Sequence, residues 1–329
     1  MTRSLDALTD QLLKAAADAG ADAADAMAVQ GTSVSVDVRA GALEHAERSE
    51  GVDIGLRVFV GRRVANVSAS DISERTISEM AVRAVAMARE APEDAYAGLA
   101  DPEQLVQDWD VDVLELADPT PEPDAATLED NARRAEAAAL EQDGISQVSQ
   151  TSAAYGARQV HIAASNGFAG GYARTDRGIS CVAIAGTGAG MERDYSGDGR
   201  IFQADLRSPE EIGREAAERA IARLNPRKPR TGTYSVLFDE RVSSTLIGHL
   251  LSAVNGAAIA RGSSWLLGAL GEKILPDDLS LIEDPHRPRC SASRPFDAEG
   301  LPTTRRAIVD GGVLTGWTLD LATGRKLGM

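Results

Sequence analysis

VDIGLRVFVGRRVANVSAS, residues 52–70, is the stretch from which the fold is read. Apolar and polar residues alternate on both sides of Gly61, so the stretch reads as two strands joined at that glycine. Upstream, SVSVDVRA (33–40) alternates cleanly and ALEHAERSE (42–50) less well. Before these, Leu5, Leu8, Leu12 and Leu13 mark one face of a helix that stops near Gly20. Downstream, a second helix is predicted from Ser73 to Arg89, capped by Asp71 or Ser73 and turning Ile77, Met80, Ala81, Val85 and Ala88 inward.

The same order then recurs: a helix over 125–140, strands from Ile145 to about Phe202, and a helix from Ser208 to Leu224. Placing Ile77 on Ile212 also places Ser73 on Ser208 and Ala81 on Ala216. The pattern predicts an α+β fold whose N-terminal lobe is built from two duplicated helix–strands–helix units. The expected units are 1–105, an acidic proline-containing linker at 106–124, a central α+β unit at 125–230, and the start of a β-rich C-terminal domain at 231–329. Pro102, Pro119, Pro121 and Pro123 make the connection between the two units read as a surface segment. In the last part, YSVLFD (234–239) reads as a strand, 241–258 as a helix, and Asp310-Gly311-Gly312 as the turn of a hairpin.

At 329 residues the chain is longer than one hydrophobic core usually serves. Only 4% of its residues are aromatic, so burial must rest on Ala, Val, Leu and Ile. Lys and Arg number 34 against 50 Asp and Glu, a net charge of −16 that repels nucleic-acid phosphates and argues against direct nucleic-acid binding. The basic run Arg223–Arg230 contains Pro226 and Pro229 and reads as a linker after a helix. The N-terminal MTRSLDALTDQLLKAAADAG has no continuous apolar core, and no apolar run reaches the length of a membrane span. A cytoplasmic location without membrane attachment is expected.

The motifs that could carry chemistry fail on context. In DYSGDGRIFQAD, residues Asp194, Ser196, Asp198, Gly199 and Asp205 fall at EF-hand positions, but ISCVAIAGTGAG before them has strand and turn character where an EF-hand needs a helix. GTGAG (186–190) and SNGFAGG (165–171) lack a following helix and read as turns. Cys181 and Cys290 are too far apart for a zinc knuckle and are expected to be reduced and structural. His45, His161, His249 and His286 are isolated, so no pair has the helical spacing of two zinc ligands. His249 lies in TLIGHLLSAVNGAAIARGSS (245–264) among Leu246, Leu250, Ala253 and Val254, and is expected on a packed helix with a backbone partner. No serine or cysteine has the surroundings of a nucleophile.

Several stretches together resemble the TldD/PmbA family, and specifically its TldE (PmbA) branch. They are GVDIGLRVFVGRRVANVSASD (51–71), YAGLADPE (96–103), SCVAIA with MERDY (180–195), LNPRK (224–228), LIGHLLSAVNGAAIARGSSWLLGALGEKILPD (246–277), DPHRPRCSASRPFDAEGLPTTRRAIVDGGVLTGWTLD (284–320) and RKLGM (325–329). The resemblance implies a subunit that pairs with a zinc-bearing TldD-type subunit to form a peptidase acting on unfolded peptides. The family is also named a modulator of DNA gyrase; given the acidic charge, such an effect is expected to run through peptide or protein substrates and not through DNA contact.

In the zinc-bearing subunit this helix carries an HExxxH motif. With ARGSS (260–264) as anchor, its ligand and base positions fall on Ile247, Gly248 and Ser252, and His249 matches neither ligand. The resemblance therefore implies a metal-free chain with no catalytic, cofactor-binding or metal-ligating residue of its own, zinc being expected in the partner. Family chains continue past RKLGM, so an incomplete C-terminal domain is expected here. Arg57, Arg62, Arg63, Arg305 and Arg306 are candidates for orienting peptide carboxylates. The rival readings are a zinc peptidase with ligands drawn from His161, His249, His286 and Cys290, and a stand-alone peptide- or protein-binding modulator. A homodimer is the alternative assembly where no partner is present.

Overall fold

A computed structural model describes residues 3–329. The first unit runs α1 (Leu5–Asp18), β1 (Ala23–Arg39), β2 (Ala42–Val60), β3 (Arg63–Ala69) and α2 (Glu74–Glu90). The second repeats the order with α3 (Ala125–Leu140), β4 (Ile145–Ala164), β5 (Ala169–Ala185), β6 (Glu192–Arg200) and α4 (Pro209–Ala222). Their strands form one antiparallel sheet in the order β3-β2-β1-β4-β5-β6, which is symmetric about the β1–β4 pair. That pairing runs unbroken from Asp25 opposite Ala164 to Val38 opposite Thr151.

Strand periodicity explains how one sheet serves two cores. Ala24, Ala26 and Ala28 of β1 pack with α1 and α2, while Val34, Val36 and Val38 of the same strand pack with α3 and α4. These positions share one parity and therefore one face of the sheet. Both helix pairs lie on that face. The aligned residues occupy equivalent places: Ile77 and Ile212 are fully buried, as are Ala81 and Ala216. Burial of one such isoleucine contributes about 2 kcal/mol. The Ser73 hydroxyl accepts the Thr76 N–H, and the Ser208 hydroxyl accepts the Glu211 N–H. Gly213 marks the α3–α4 crossing, where a Cβ would lie 2.0 Å from the Ala135 carbonyl oxygen.

Two strand expectations need extension. β1 begins ten residues before the predicted Ser33, because the alanines that face α1 carry little strand signal. Residues 42–50 and 52–60 form one strand, β2. The proline-containing connection is also more than a surface segment. Leu114 and Leu116 are buried with Ile201, and the Leu116 carbonyl accepts the Thr175 N–H. The physical reason is the length of β5: β6 pairs only with its residues 177–185, and the connection covers part of the remaining edge.

The C-terminal part comprises α5 (Glu240–Ala253), α6 (Gly256–Ala260), β7 (Leu281–Glu283), β8 (Arg306–Asp310), β9 (Val313–Leu314) and α7 (Leu321–Leu327). Its core gathers Leu250, Val254, Ile259, Val309, Leu314 and Trp317. Gly311 and Gly312 turn the β8–β9 hairpin as predicted. The predicted helix over 241–258 is broken, because Asn255 leaves the helix and caps α6 through the N–H groups of Ala257 and Ala258. The predicted strand at 234–239 is not formed. No described residue pairs with it, and Leu237 is 97% exposed.

Side chains seat this part on the sheet. Phe296 packs edge-on against Phe168 and Trp109, both at 5.1 Å between ring centroids. Arg289 stacks over Phe202 and pairs with Glu115 and Asp205. Arg325 donates to the carbonyls of Tyr96, Gly98 and Leu99. Among the described residues no helix is long and apolar enough to cross a membrane.

Candidate functional site

α5 is the element on which the metal question turns, and its first turn is held by charge. The Asp239 side chain accepts the Arg241 N–H, and the Arg241 guanidinium reaches Asp194 on β6 at 2.8 Å. Asp194 is nearly buried and also binds Arg223 at 3.1 Å and the Tyr195 N–H. Burial pushes its carboxyl up, but the bonds from Arg241, Tyr195 and Arg223 outweigh that and hold it below the ordinary carboxylate range. The far end of the helix is held by packing through Leu250 and Ala253.

The three positions that the family resemblance would set at a metal site carry no imidazole, carboxylate or thiol. Ile247 is 42% exposed, nothing surrounds Gly248, and the Ser252 hydroxyl donates to the Gly248 carbonyl. His249 is on the exposed side of the helix and has no hydrogen-bond partner among the described residues, contrary to the expected packed histidine. Burial on α5 is confined to Leu250 and Ala253 at the helix end, and the preceding turns are uncovered. Val242, Leu246, Ile247 and Leu251 are exposed there, and Trp265 nearby in sequence is 72% exposed. These side chains give α5 an exposed apolar surface that also carries His249.

The other candidate ligands stay apart. His161 Nδ1 lies 2.9 Å from the Thr9 hydroxyl under α1, and His286 Nε2 lies 3.0 Å from Thr303. His45 is exposed beside Glu47. Cys181 is buried, which raises its thiol to about 11, and Cys290 is half-buried. Among the described residues no three His, Cys, Asp or Glu side chains gather in a way that could hold a metal ion. The described side chains thus present no gathered set of zinc ligands.

The calcium-like motif dissolves for the same reason. Asp194 binds the two arginines, Ser196 donates to Glu215, Asp198 pairs with Arg200, and Asp205 pairs with Arg289. Asp194, Ser196 and Asp198 share one face of β6 but are strung out along an extended strand, and Asp205 follows in the turn after it, so no loop wraps them around one centre. GTGAG forms the β5–β6 turn, and SNGFAGG forms the β4–β5 turn and the start of β5. Each candidate arginine lies against a group of the fold, Arg305 most loosely at 3.7 Å with 65% of its side chain exposed. Arg57 binds Asp25, Arg62 the Ala95 carbonyl, Arg63 the Arg89 and Ala91 carbonyls, Arg305 Asp284, and Arg306 Glu283. The role of Asp194 in anchoring α5 escaped sequence reasoning, which weighed it only as a calcium ligand. No local signal links it to Arg241, 47 residues away.

Comparison with known proteins supplies the remaining context. Three family profiles match in order: PmbA/TldA metallopeptidase domain 1 over residues 24–88, the central domain over 116–224 and the C-terminal domain over 231–329. Metalloprotease PmbA of Escherichia coli O157:H7 is 36% identical over 314 residues, covering 94% of this chain and 68% of that protein. A PmbA homolog of Haemophilus influenzae is 35% identical, covering 90% and 65% respectively. The chain thus spans about two thirds of the length of these relatives.

A crystal structure from Bacteroides thetaiotaomicron, described as a modulator of DNA gyrase, superposes with a TM-score of 0.89 at 27% identity, covering 98% of this chain and 74% of that one. TldE of Thermococcus kodakarensis shares the fold, with a TM-score of 0.79 at 17% identity over 98% of this chain and 72% of its own.

Proposed function

Since the chain belongs to the PmbA/TldD metallopeptidase family, we propose that it acts in the cytoplasm as a metal-free, non-catalytic subunit of the TldE type. Its partner is a zinc-bearing TldD-type subunit, and the pair trims unfolded peptides. The observation that carries this reading is α5 itself, with Ile247, Gly248 and Ser252 where ligands and base would stand. No step through a metal is assigned to this chain.

Two features support a docking role. The uncovered apolar side of α5 suits a protein partner. The outer edge of β2 suits an extended peptide. β3 pairs with β2 only from Ile54 onward, so residues 42–53, paired with β1 on their inner side, present outward backbone donors and acceptors with no strand beyond them among the described residues. An added strand is recognised mainly through its backbone, which tolerates many sequences.

The test mixes the purified chain with a zinc-bearing family subunit and unfolded peptides. Faster cleavage than by that subunit alone is the expected result; unchanged cleavage across a panel of peptides overturns the proposal. The same edge and apolar surface would serve a peptide-binding protein without a peptidase partner. Co-purification from cells separates the two, because a stoichiometric zinc-bearing partner belongs to the subunit reading alone.

A further inference from the structure

We propose that Glu299, with Arg57 and Asp25, forms a proton-sensitive latch that seats the C-terminal part of the chain on the six-stranded sheet and holds more tightly when Glu299 is protonated. Asp25 on β1 and Arg57 on β2 stand directly opposite each other in the strand register. Both Nε and Nη2 of Arg57 lie 2.6 Å from the same Asp25 oxygen, so the fork of the guanidinium is already engaged. Glu299 arrives from the turn after Phe296. One of its oxygens accepts the Leu321 N–H at 2.9 Å; the other stops 3.7 Å from Arg57 Nη1, beyond hydrogen-bond range.

Glu299 therefore has one backbone hydrogen bond in a place where only 17% of its side chain is exposed. The charged groups facing it are Arg57 on β2, Asp297 in its own turn and Asp320 at the start of α7, with Asp25 on β1 holding the arginine. One cation, already bound, stands among three other carboxylates. Burial raises the Glu299 carboxyl first, with Asp297 and Asp320 adding to it. The Leu321 bond and Arg57 only partly offset that rise. Burial also raises Asp25 despite Arg57.

The position makes the charge matter for seating. Next to Glu299, the Gly300 carbonyl accepts the Val106 N–H, and a Cβ on Gly300 would sit 2.6 Å from the Phe168 ring. Leu321 opens α7, whose Arg325 grips the carbonyls of Tyr96, Gly98 and Leu99. A carboxyl raised in the seated form binds its proton more tightly there than when released. Seating is thus strongest near and below the ordinary glutamate value of 4.5 and weakens as pH rises through the raised one. Each unit of that rise corresponds to about a tenfold change in the seating equilibrium.

The experiment is hydrogen–deuterium exchange of the whole chain between about pH 5 and pH 8, corrected for intrinsic exchange and read on segments around 296–302 and 319–325. Protection in the unaltered chain is expected to fall several-fold as pH rises. Glu299→Gln keeps an acceptor for Leu321 without the charge. It should give a flat profile and stronger protection than the unaltered chain at the alkaline end. Asp25→Asn frees Arg57 for Glu299 and should shrink the fall. A flat profile in the unaltered chain overturns the latch, as does weaker protection in Glu299→Gln at the alkaline end. Neither a metal nor a partner enters, so the result is independent of the proposed function.

Discussion

Asp194 shows how much a single side chain holds. It joins the end of α4, the start of α5 and β6 through Arg223 and Arg241. Removing it takes away the acid shared by two partly exposed arginines and the acceptor of the Tyr195 N–H, so Asp194→Ala is expected to cost about 1–2 kcal/mol in urea denaturation; a loss within error of zero would refute the anchor. Its carboxyl is held below the ordinary value of 3.8, so the stability it contributes is present above that pH and is lost as pH falls through the lower, folded-state value. The Asp194→Ala variant should therefore show a shallower acid-side loss of stability than the unaltered chain. The cysteines give a second expectation at this scale. Cys181 is buried with its thiol raised, so a thiol reagent should modify Cys290 in the folded chain and reach Cys181 only after unfolding. The sequence raised Asp194 only within a calcium-like motif that its strand-and-turn context argues against, and left its anchoring role unread because Arg241 is distant in the chain.

The elements were legible wherever their signals are local. Ser73 and Ser208 cap equivalent helices, and each serine-to-alanine change should cost about 1 kcal/mol by thermal or chemical denaturation. Similar losses that add in the double variant are expected from separate, duplicated units; a loss at only one of them would argue against equivalence. Gly213→Ala should be worse than either cap change, because its Cβ would press on Ala135 of α3. Helix faces read from Ile77, Met80 and Val85 needed only spacing. Strand lengths did not follow from spacing, since the alanines of β1 alternate in burial without the bulk that makes alternation visible. At the break in the predicted 241–258 helix, the local Asn255 cap is joined by the Gly256 N–H donating to the Thr318 carbonyl, a contact across 62 residues that spacing does not reveal.

At the scale of the whole molecule, the duplication could be read from the order of elements, but its joining into one sheet could not. The β1–β4 pairing brings together residues more than a hundred positions apart, and no periodicity encodes it. The covering of the β5 edge by residues around Leu116 is equally non-local. At the candidate site the sequence shows only that Ile247, Gly248 and Ser252 bring no imidazole, carboxylate or thiol. What the sequence did not reveal was the uncovered apolar side of the helix that carries them. The central claim is that this chain docks and a partner carries the metal. The most direct test is the zinc content per chain, by elemental analysis, of protein purified without chelators or a metal-binding tag. The expected result is zinc well below one ion per chain; one tightly held zinc per chain would contradict the account and require ligands assembled from distant residues.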